Sequence, residues 1–337
     1  MQYSSRLFLW GPLVLLFALA IGASARWYSV ANDLSARLDA MNGHAAMPGV
    51  TIKFASKTVG GYPFNVDAEL HDFTLTVAGP HGPIAWKAEK FAGHALTYGR
   101  SQWIFEAAGK QRLTWTTKAG QPKGLDFDIG SLHASAAFAG AKLERFDFDL
   151  VGFDSAAVAI ARTQLHMRRN PSVDQLDLIV SAEELQISPR LRGICGDSIG
   201  HIKLDGDFSN GTAFAKVLTG DANWQSGFDA WRKAGGRFYL AQSELACQTS
   251  SVFAQGQLGL DEAKRPRGLM TAQIAGFAGL RDSAARNHAQ GTFVDALLNQ
   301  PQEPNSGQEG RVTLRAAFRD GITYLGNTPA GMNDPLY

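Results

Sequence analysis

The chain has 337 residues, 32 Lys and Arg against 31 Asp and Glu for a net charge of +1, and 45% hydrophobic residues. That balance excludes the basic footprint of a nucleic-acid-binding protein, and the length suffices for one large domain or two ordinary ones.

The first element is apolar. From Leu7 to Ala23 there is no charge, with Arg6 before the run and Arg26, Trp27 and Tyr28 after it. A helix of that length rises about 25 Å at ~1.5 Å per residue, the lower edge of a spanning segment, and Trp27 and Tyr28 suit the far interface. Ala23-Ser24-Ala25 also fits the small-x-small pattern before a signal cleavage site. Residues 1–30 therefore read as a membrane anchor or a signal segment, and both readings export residues 31–337 as a periplasmic β-rich domain. The expected location is the inner membrane, single-pass through residues 7–23 with the bulk in the periplasm; the alternative is a soluble periplasmic protein after cleavage. Next, Leu34, Leu38 and Met41 recur at i, i+4 and i+7, with Asn32 or Asp33 as a cap and Gly43 as a stop, which predicts a short helix over 31–42.

Residues 59–77, VGGYPFNVDAELHDFTLTV, pose the main structural question. Phe64, Val66, Ala68 and Leu70 share one parity, whereas Phe73, Leu75 and Val77 carry the apolar set on the other. A strand has period two, so a bulge or bend is expected at His71-Asp72. Alternation of period two then dominates to about residue 320. It includes Phe127 and Ile129 against Asp126 and Asp128, Phe146, Phe148 and Leu150 against Asp147 and Asp149, Ala254 to Leu260, and Val312 to Phe318. Such strands belong to antiparallel sheets with one apolar and one wet face. Helical spacing interrupts at 223–236, where Trp224, Phe228 and Trp231 dock on a core before Gly235-Gly236, and at 281–299, where Phe293, Leu297 and Leu298 share a side. The glycine pairs Gly60-Gly61 and Gly235-Gly236 suggest two lobes, 51–220 and 235–337.

Cys195 and Cys247 are the only cysteines. In an exported chain they read as a disulfide tying the turn at 193–200 to the strand near Leu245, the alternative being two separate buried thiols. Gly196-Asp197-Ser198-Ile199-Gly200 matches G-x-S-x-G, with His201 adjacent, but Ile202 and Leu204 continue as a strand where a nucleophile elbow needs a helix. The eight histidines form no paired metal spacing, the paired aspartates lie on polar strand faces, and no phosphate-binding glycine motif occurs. Asn210-Gly211-Thr212 reads as a turn as readily as a glycosylation sequon. No cofactor, metal, nucleic-acid partner or enzymatic activity is expected.

Several motifs in order carry a family resemblance: Gly61-Tyr62-Pro63-Phe64; Trp231-x-x-Ala234-Gly235-Gly236; Gly256-x-Leu258-x-Leu260-Asp261 with Pro266-x-Gly268; Asp320-Gly321-x-x-x-Leu325-Gly326; and Pro335-Leu336-Tyr337. With the N-terminal apolar segment, the chain resembles, over nearly its whole length, the uncharacterised family numbered 2125 in the domain-of-unknown-function series of Gram-negative bacteria. It is distantly similar to the AsmA-like envelope proteins. The latter resemblance implies a membrane-anchored, largely β protein with a hydrophobic groove for phospholipid; it implies no catalytic residues.

The fold expected is mainly β: a long curved antiparallel sheet, as a trough or an open sandwich, with an N-terminal membrane helix and a few short helices. The function expected is binding or conveying phospholipid or another acyl lipid in a hydrophobic β-trough, contributing to envelope homeostasis. Val66, Leu70, Phe148 and Leu258 are the expected lining. The alternative is a non-catalytic envelope scaffold with a closed β core.

Overall fold

The computed structural model describes residues 4–188, 194–287, 291–299 and 311–337. Helix α1 spans Ser4–Met41. The strands that follow are β1 (Ala45–Met47), β2 (Val50–Lys53), β3 (Ser56–Gly60), β4 (Asn65–Gly79), β5 (Gly82–Leu96), β6 (Gly99–Thr116), β7 (Pro122–Ala139), β8 (Lys142–Ser155), β9 (Val158–Asn170), β10 (Gln175–Ile187) and β11 (Ser198–Ser209). A helical insertion carries α2 (Ala215–Leu218) and α3 (Trp224–Lys233). Then come β12 (Phe238–Cys247), β13 (Ser251–Leu260), β14 (Pro266–Ala275), α4 (Phe277–Arg286), α5 (Thr292–Leu298), β15 (Arg311–Arg319), β16 (Ile322–Leu325) and β17 (Thr328–Met332).

All strands join one open antiparallel sheet in which, from β3 onward, each pairs with the next in sequence. The sheet runs through both predicted lobes. Its register confirms the period-two reading on a larger scale. One row of paired residues crosses from β4 to β16: Val66, Ala95, Trp103, Ala136, Phe146, Met167, Leu178, Gly206, Leu240, Gly256, Met270, Ala316 and Leu325. Paired residues of antiparallel strands lie on the same face, so one uninterrupted apolar face spans the sheet. The other face is polar: Asp67 meets His94 at 2.8 Å, Asp147 meets His166 at 2.9 Å, Asp149 meets Arg162 at 2.8 Å and Glu244 meets His201 at 3.2 Å.

The parity change at His71-Asp72 is real, and it is not confined to one strand. Asp72 drops out of the β4–β5 register with φ 50°, so Leu70 and Phe73, three residues apart, share the apolar face. The same three-residue step recurs at Ala88 and Phe91, Leu150 and Phe153, Ile160 and Thr163, Ala182 and Leu185, and Ile199 and Ile202, each aligned with its neighbour by the register. Gly109 (φ 75°), Gly152 (φ 69°) and Glu184 (φ 50°) hold left-handed backbone along this line. The sheet therefore carries a crease, since bulged strands bend and twist more strongly.

Twist does the rest. About eight steps separate β4 from β12, and at roughly 20–25° each the strand direction reverses. The far end of β4 thus meets α3 and the C-terminal residues approach the β6–β7 turn: the Trp224 indole donates to the Ala78 carbonyl at 3.1 Å, and Lys118, after β6, meets Asp334 at 3.0 Å.

Three helical groups cover parts of the apolar face. The predicted helix over 31–42 is no separate element; α1 continues unbroken from the membrane-length segment to Met41. The reason is packing: Trp27, Val30, Ala31 and Leu38 are buried against β4 and its neighbours, with Leu34 and Met41 beside them, so one apolar stripe keeps the chain helical past Arg26. Asn42 ends the helix by exchanging hydrogen bonds with the Phe54 backbone at 3.0 and 3.1 Å.

The second group, α2 and α3, inserts Phe214, Leu218 and Trp231 against Leu176, Phe208 and Phe238. Asn223 caps α3 as its side chain accepts from Ser226 N at 2.9 Å. Gly235 at φ 72° ends it, and a Cβ on Gly236 would lie 2.2 Å from the Trp231 indole nitrogen. The third group, α4 and α5, lies over β12–β17.

Candidate functional site

The apolar face is neither fully covered nor fully open. Where α4 and α5 cross it, an apolar pocket of about 370 Å³ remains. The sequence creates this space by alternating residue size. Register rows place Ala254, Ala272 and Leu314 side by side, and Gly256, Met270 and Ala316 beside them. A floor of the alanines Ala254, Ala272 and Ala316 leaves room that the larger side chains of Ile274, Leu280, Leu297, Phe318 and Leu325 enclose. Phe293 both lines the pocket and is 50% exposed, which puts the opening at the start of α5.

The chemistry of the pocket is restricted. Among its described lining residues only Thr323 brings a polar side-chain oxygen, and it is already engaged, donating to the Asn333 side chain at 2.9 Å. Cavities lined in this way exclude water and accept apolar guests. The volume lies within the range of small-molecule sites, whose linings are usually apolar with a few placed polar groups. The described residues of this one supply contact area and no fixed polar anchor.

Cys195 belongs to one wall, and Cys247 is bonded to it. They form a disulfide with Cα atoms 5.1 Å apart, joining the turn before β11 to the end of β12 as the sequence reading expected. Ser198 opens strand β11, in keeping with the alternation at Ile202 and Leu204, and its hydroxyl meets the Gln186 amide at 3.3 Å. Among the described residues no group of histidines, cysteines and carboxylates is placed to hold a metal.

The four residues expected to line a trough share the apolar face but not one place. Val66 is 0% and Leu70 4% exposed, both sealed beneath α1. Phe148 and Leu258 are half-buried, on β8 and β13. None of the four lines the pocket, although the row containing Phe148 runs through Leu165, Val180, Leu204 and Ser243 to its floor at Ala254 and Ala272. The pocket's strands were legible as alternating runs. What gave no signal was the meaning of Ala254, Ala272 and Ala316, which read as ordinary small residues until three strands bring them together.

The polar face has the signature of a solvated surface. Asp149 is held below the usual carboxylate range, chiefly by the Arg162 hydrogen bond and against the opposing effect of burial. Such partly exposed pairs contribute little to stability.

A family profile described as an uncharacterized protein conserved in bacteria, DUF2125, matches residues 27–333. The chain belongs to that family. No curated protein and no solved structure matches it, and the distant similarity to AsmA-like envelope proteins gains no support from these comparisons. The DUF2125-like motifs of this chain are largely structural. Gly61, at φ 91°, turns tightly against Asn65, and Tyr62 packs on Trp27 of α1; the Gly235-Gly236 turn makes space for Trp231; Asp320 and Gly321, at φ 53° and 75°, turn β15 into β16. The closing Tyr337 donates to Asp229 at 3.0 Å, and Leu336 N donates to the Lys264 carbonyl at 3.0 Å.

Proposed function

We propose that this protein, held at a bacterial inner membrane by α1 with its sheet in the periplasm, binds the acyl chain of a lipid without catalysing a reaction, and so serves envelope homeostasis. The observation that carries this reading is the 370 Å³ pocket under α4 and α5, large, apolar and open at Phe293. Removing an alkyl chain from water is favourable by about 0.8 kcal/mol per methylene, and a pocket without polar anchors selects for that alone. Membrane attachment is supported by α1, which is long and apolar enough to cross a bilayer. Its side chains at Trp10, Val14, Leu15, Leu16, Phe17, Leu19 and Ile21 are 57–68% exposed, so the described residues leave that surface uncovered.

The test is photo-crosslinking of the full chain, reconstituted in lipid nanodiscs, with a diazirine-bearing fatty acid. Cross-links are expected on peptides carrying Met270 and Leu314, and they should be lost in Ala272→Phe, which fills the floor. Labelling confined to α1, or unchanged by Ala272→Phe in a folded protein, would instead favour a scaffold whose apolar face serves only as core.

A further inference from the structure

Helix α1 leaves its exposed apolar stretch at a defined height relative to the sheet. The Ser24 hydroxyl lies 2.7 Å from the Tyr62 hydroxyl, and the Arg26 guanidinium donates to the Thr97 carbonyl at 3.2 Å. The β3–β4 turn and the β5–β6 turn are thereby fixed against the helix within a residue or three of Ala23, where the apolar run ends. At ~1.5 Å per residue, that is within about 5 Å along the axis. From these two turns and the adjoining helix turn protrude large side chains that the described residues leave exposed: Tyr28 is 59% exposed, Tyr62 56%, Phe64 63%, Leu96 42% and Tyr98 71%. Tyr28 and Tyr62 flank the Trp27 ring, with centroids 5.1 and 5.5 Å from it.

From this juxtaposition we infer that the end of the sheet formed by the β3–β4 and β5–β6 turns is a membrane-docking rim, seated at the headgroup level beside the helix. The inference rests on the anchored reading of α1. Its occupant is the bilayer because the patch is continuous with the exposed apolar helix and shares its depth. The composition also fits: tyrosine presents an apolar ring and a polar tip, which suits a layer that is part hydrocarbon and part water. The rim has a directional consequence. The opposite end of β4 meets α3 at Trp224, so α3 and the C-terminal residues would project away from the membrane. The strand itself, Asn65–Gly79, spans up to about 50 Å at ~3.3 Å per residue.

The experiment uses the full chain in nanodiscs of phosphatidylethanolamine and phosphatidylglycerol. Single spin labels are introduced at Leu16→Cys, Phe64→Cys, Tyr98→Cys and Met332→Cys. Met332, 91% exposed, is the reference for water. Because Cys195 and Cys247 are bonded to each other, only the new thiol reacts. For folded variants, checked by near-ultraviolet circular dichroism, the ratio of oxygen to nickel-chelate collisions should be several-fold higher at Phe64 and Tyr98 than at Met332, and higher still at Leu16. Labels at Phe64 and Tyr98 that match Met332 while Leu16 is lipid-immersed would overturn the rim and leave the anchor standing. A Leu16 label as wet as Met332 would remove the anchor and the rim with it. If one rim variant does not fold, the other decides.

Discussion

The indole nitrogen of Trp27, on α1, donates to the carbonyl oxygen of Asn65, the first residue of β4, at 2.6 Å. That one bond ties a membrane-length helix to the strand from which the rest of the sheet propagates. Trp27 is 9% exposed and packs with Val30, Ala31, Val66 and Ala95. Trp27→Ala should cost about 3–5 kcal/mol, as large-to-small core substitutions do. Trp27→Phe keeps most of the packing but leaves the Asn65 carbonyl without that donor, for a loss of about 1–3 kcal/mol. Urea unfolding of the full chain in a fixed detergent measures both, and two variants as stable as the parent would show that α1 does not hold the sheet.

The Cys195–Cys247 bond spans a sequence separation of 52 residues. Chain-entropy arguments give a loop of that size about 4 kcal/mol of stabilisation. Cys247→Ser should lower stability by up to about that amount and loosen the pocket wall. A reductant should bring the parent down to the level of the variant. A parent whose midpoint ignores the reductant would show that the bond contributes nothing.

Asp207 on β11 sits directly across from Asp177 on β10, with Asp205 nearby. Burial raises its carboxyl above the ordinary value, the Asp177 and Asp205 charges raise it further, and the hydrogen bond from Gln175 at 2.9 Å opposes them. A carboxyl raised on folding binds its proton more tightly in the folded state. Its favourable contribution is therefore full below the unfolded value and is lost as pH rises through the folded one. At neutral pH, Asp207→Asn should be more stable than the parent, and the difference should shrink as pH is lowered through the carboxylate range. A stability gain that does not change with pH would show that charge is not its cause.

How far these features could be read beforehand differs from element to element. The strands were legible because one face is apolar across the whole sheet, so period two survives in nearly every run. The bulge at Asp72 was legible because it shifts the parity between Leu70 and Phe73; that it continues as a crease to Ile199 and Ile202 depends on register, which no single strand encodes. The disulfide followed from reading two cysteines behind an apolar N-terminal segment as those of an exported chain, and α3 from Trp224, Phe228 and Trp231. The unbroken α1 was missed because Arg26, Asn32 and Asp33 look like breaks and caps. The stripe through Trp27, Ala31, Leu34 and Leu38 outweighs them once β4 is present to bury it. Val66 and Leu70 are as apolar as any groove residue, and only tertiary contact with α1 distinguishes a sealed position from an open one.

The crease offers a test of its own at Glu184. This residue is exposed, is left out of the register with both neighbouring strands, and has φ 50°. Left-handed backbone costs an ordinary residue about 1–2 kcal/mol, and glycine escapes that cost while losing about 0.5–1 kcal/mol through chain entropy. Glu184→Gly should therefore be neutral or stabilising by up to about 1.5 kcal/mol. Glu184→Val, which stiffens the same backbone, should destabilise by about 1–3 kcal/mol. Ser181→Gly provides the contrast. It lies on the same strand, paired with Gln164 and Lys203, so it incurs only the entropic loss of about 0.5–1 kcal/mol. The three chemical-denaturation midpoints thus have a predicted order, with Glu184→Gly highest, Ser181→Gly next and Glu184→Val lowest. If Glu184→Gly is destabilised as much as Ser181→Gly, the left-handed residue is not a strained point in the fold, and the bend must be imposed by the packing of Ala182, Leu185, Ile199 and Ile202 alone.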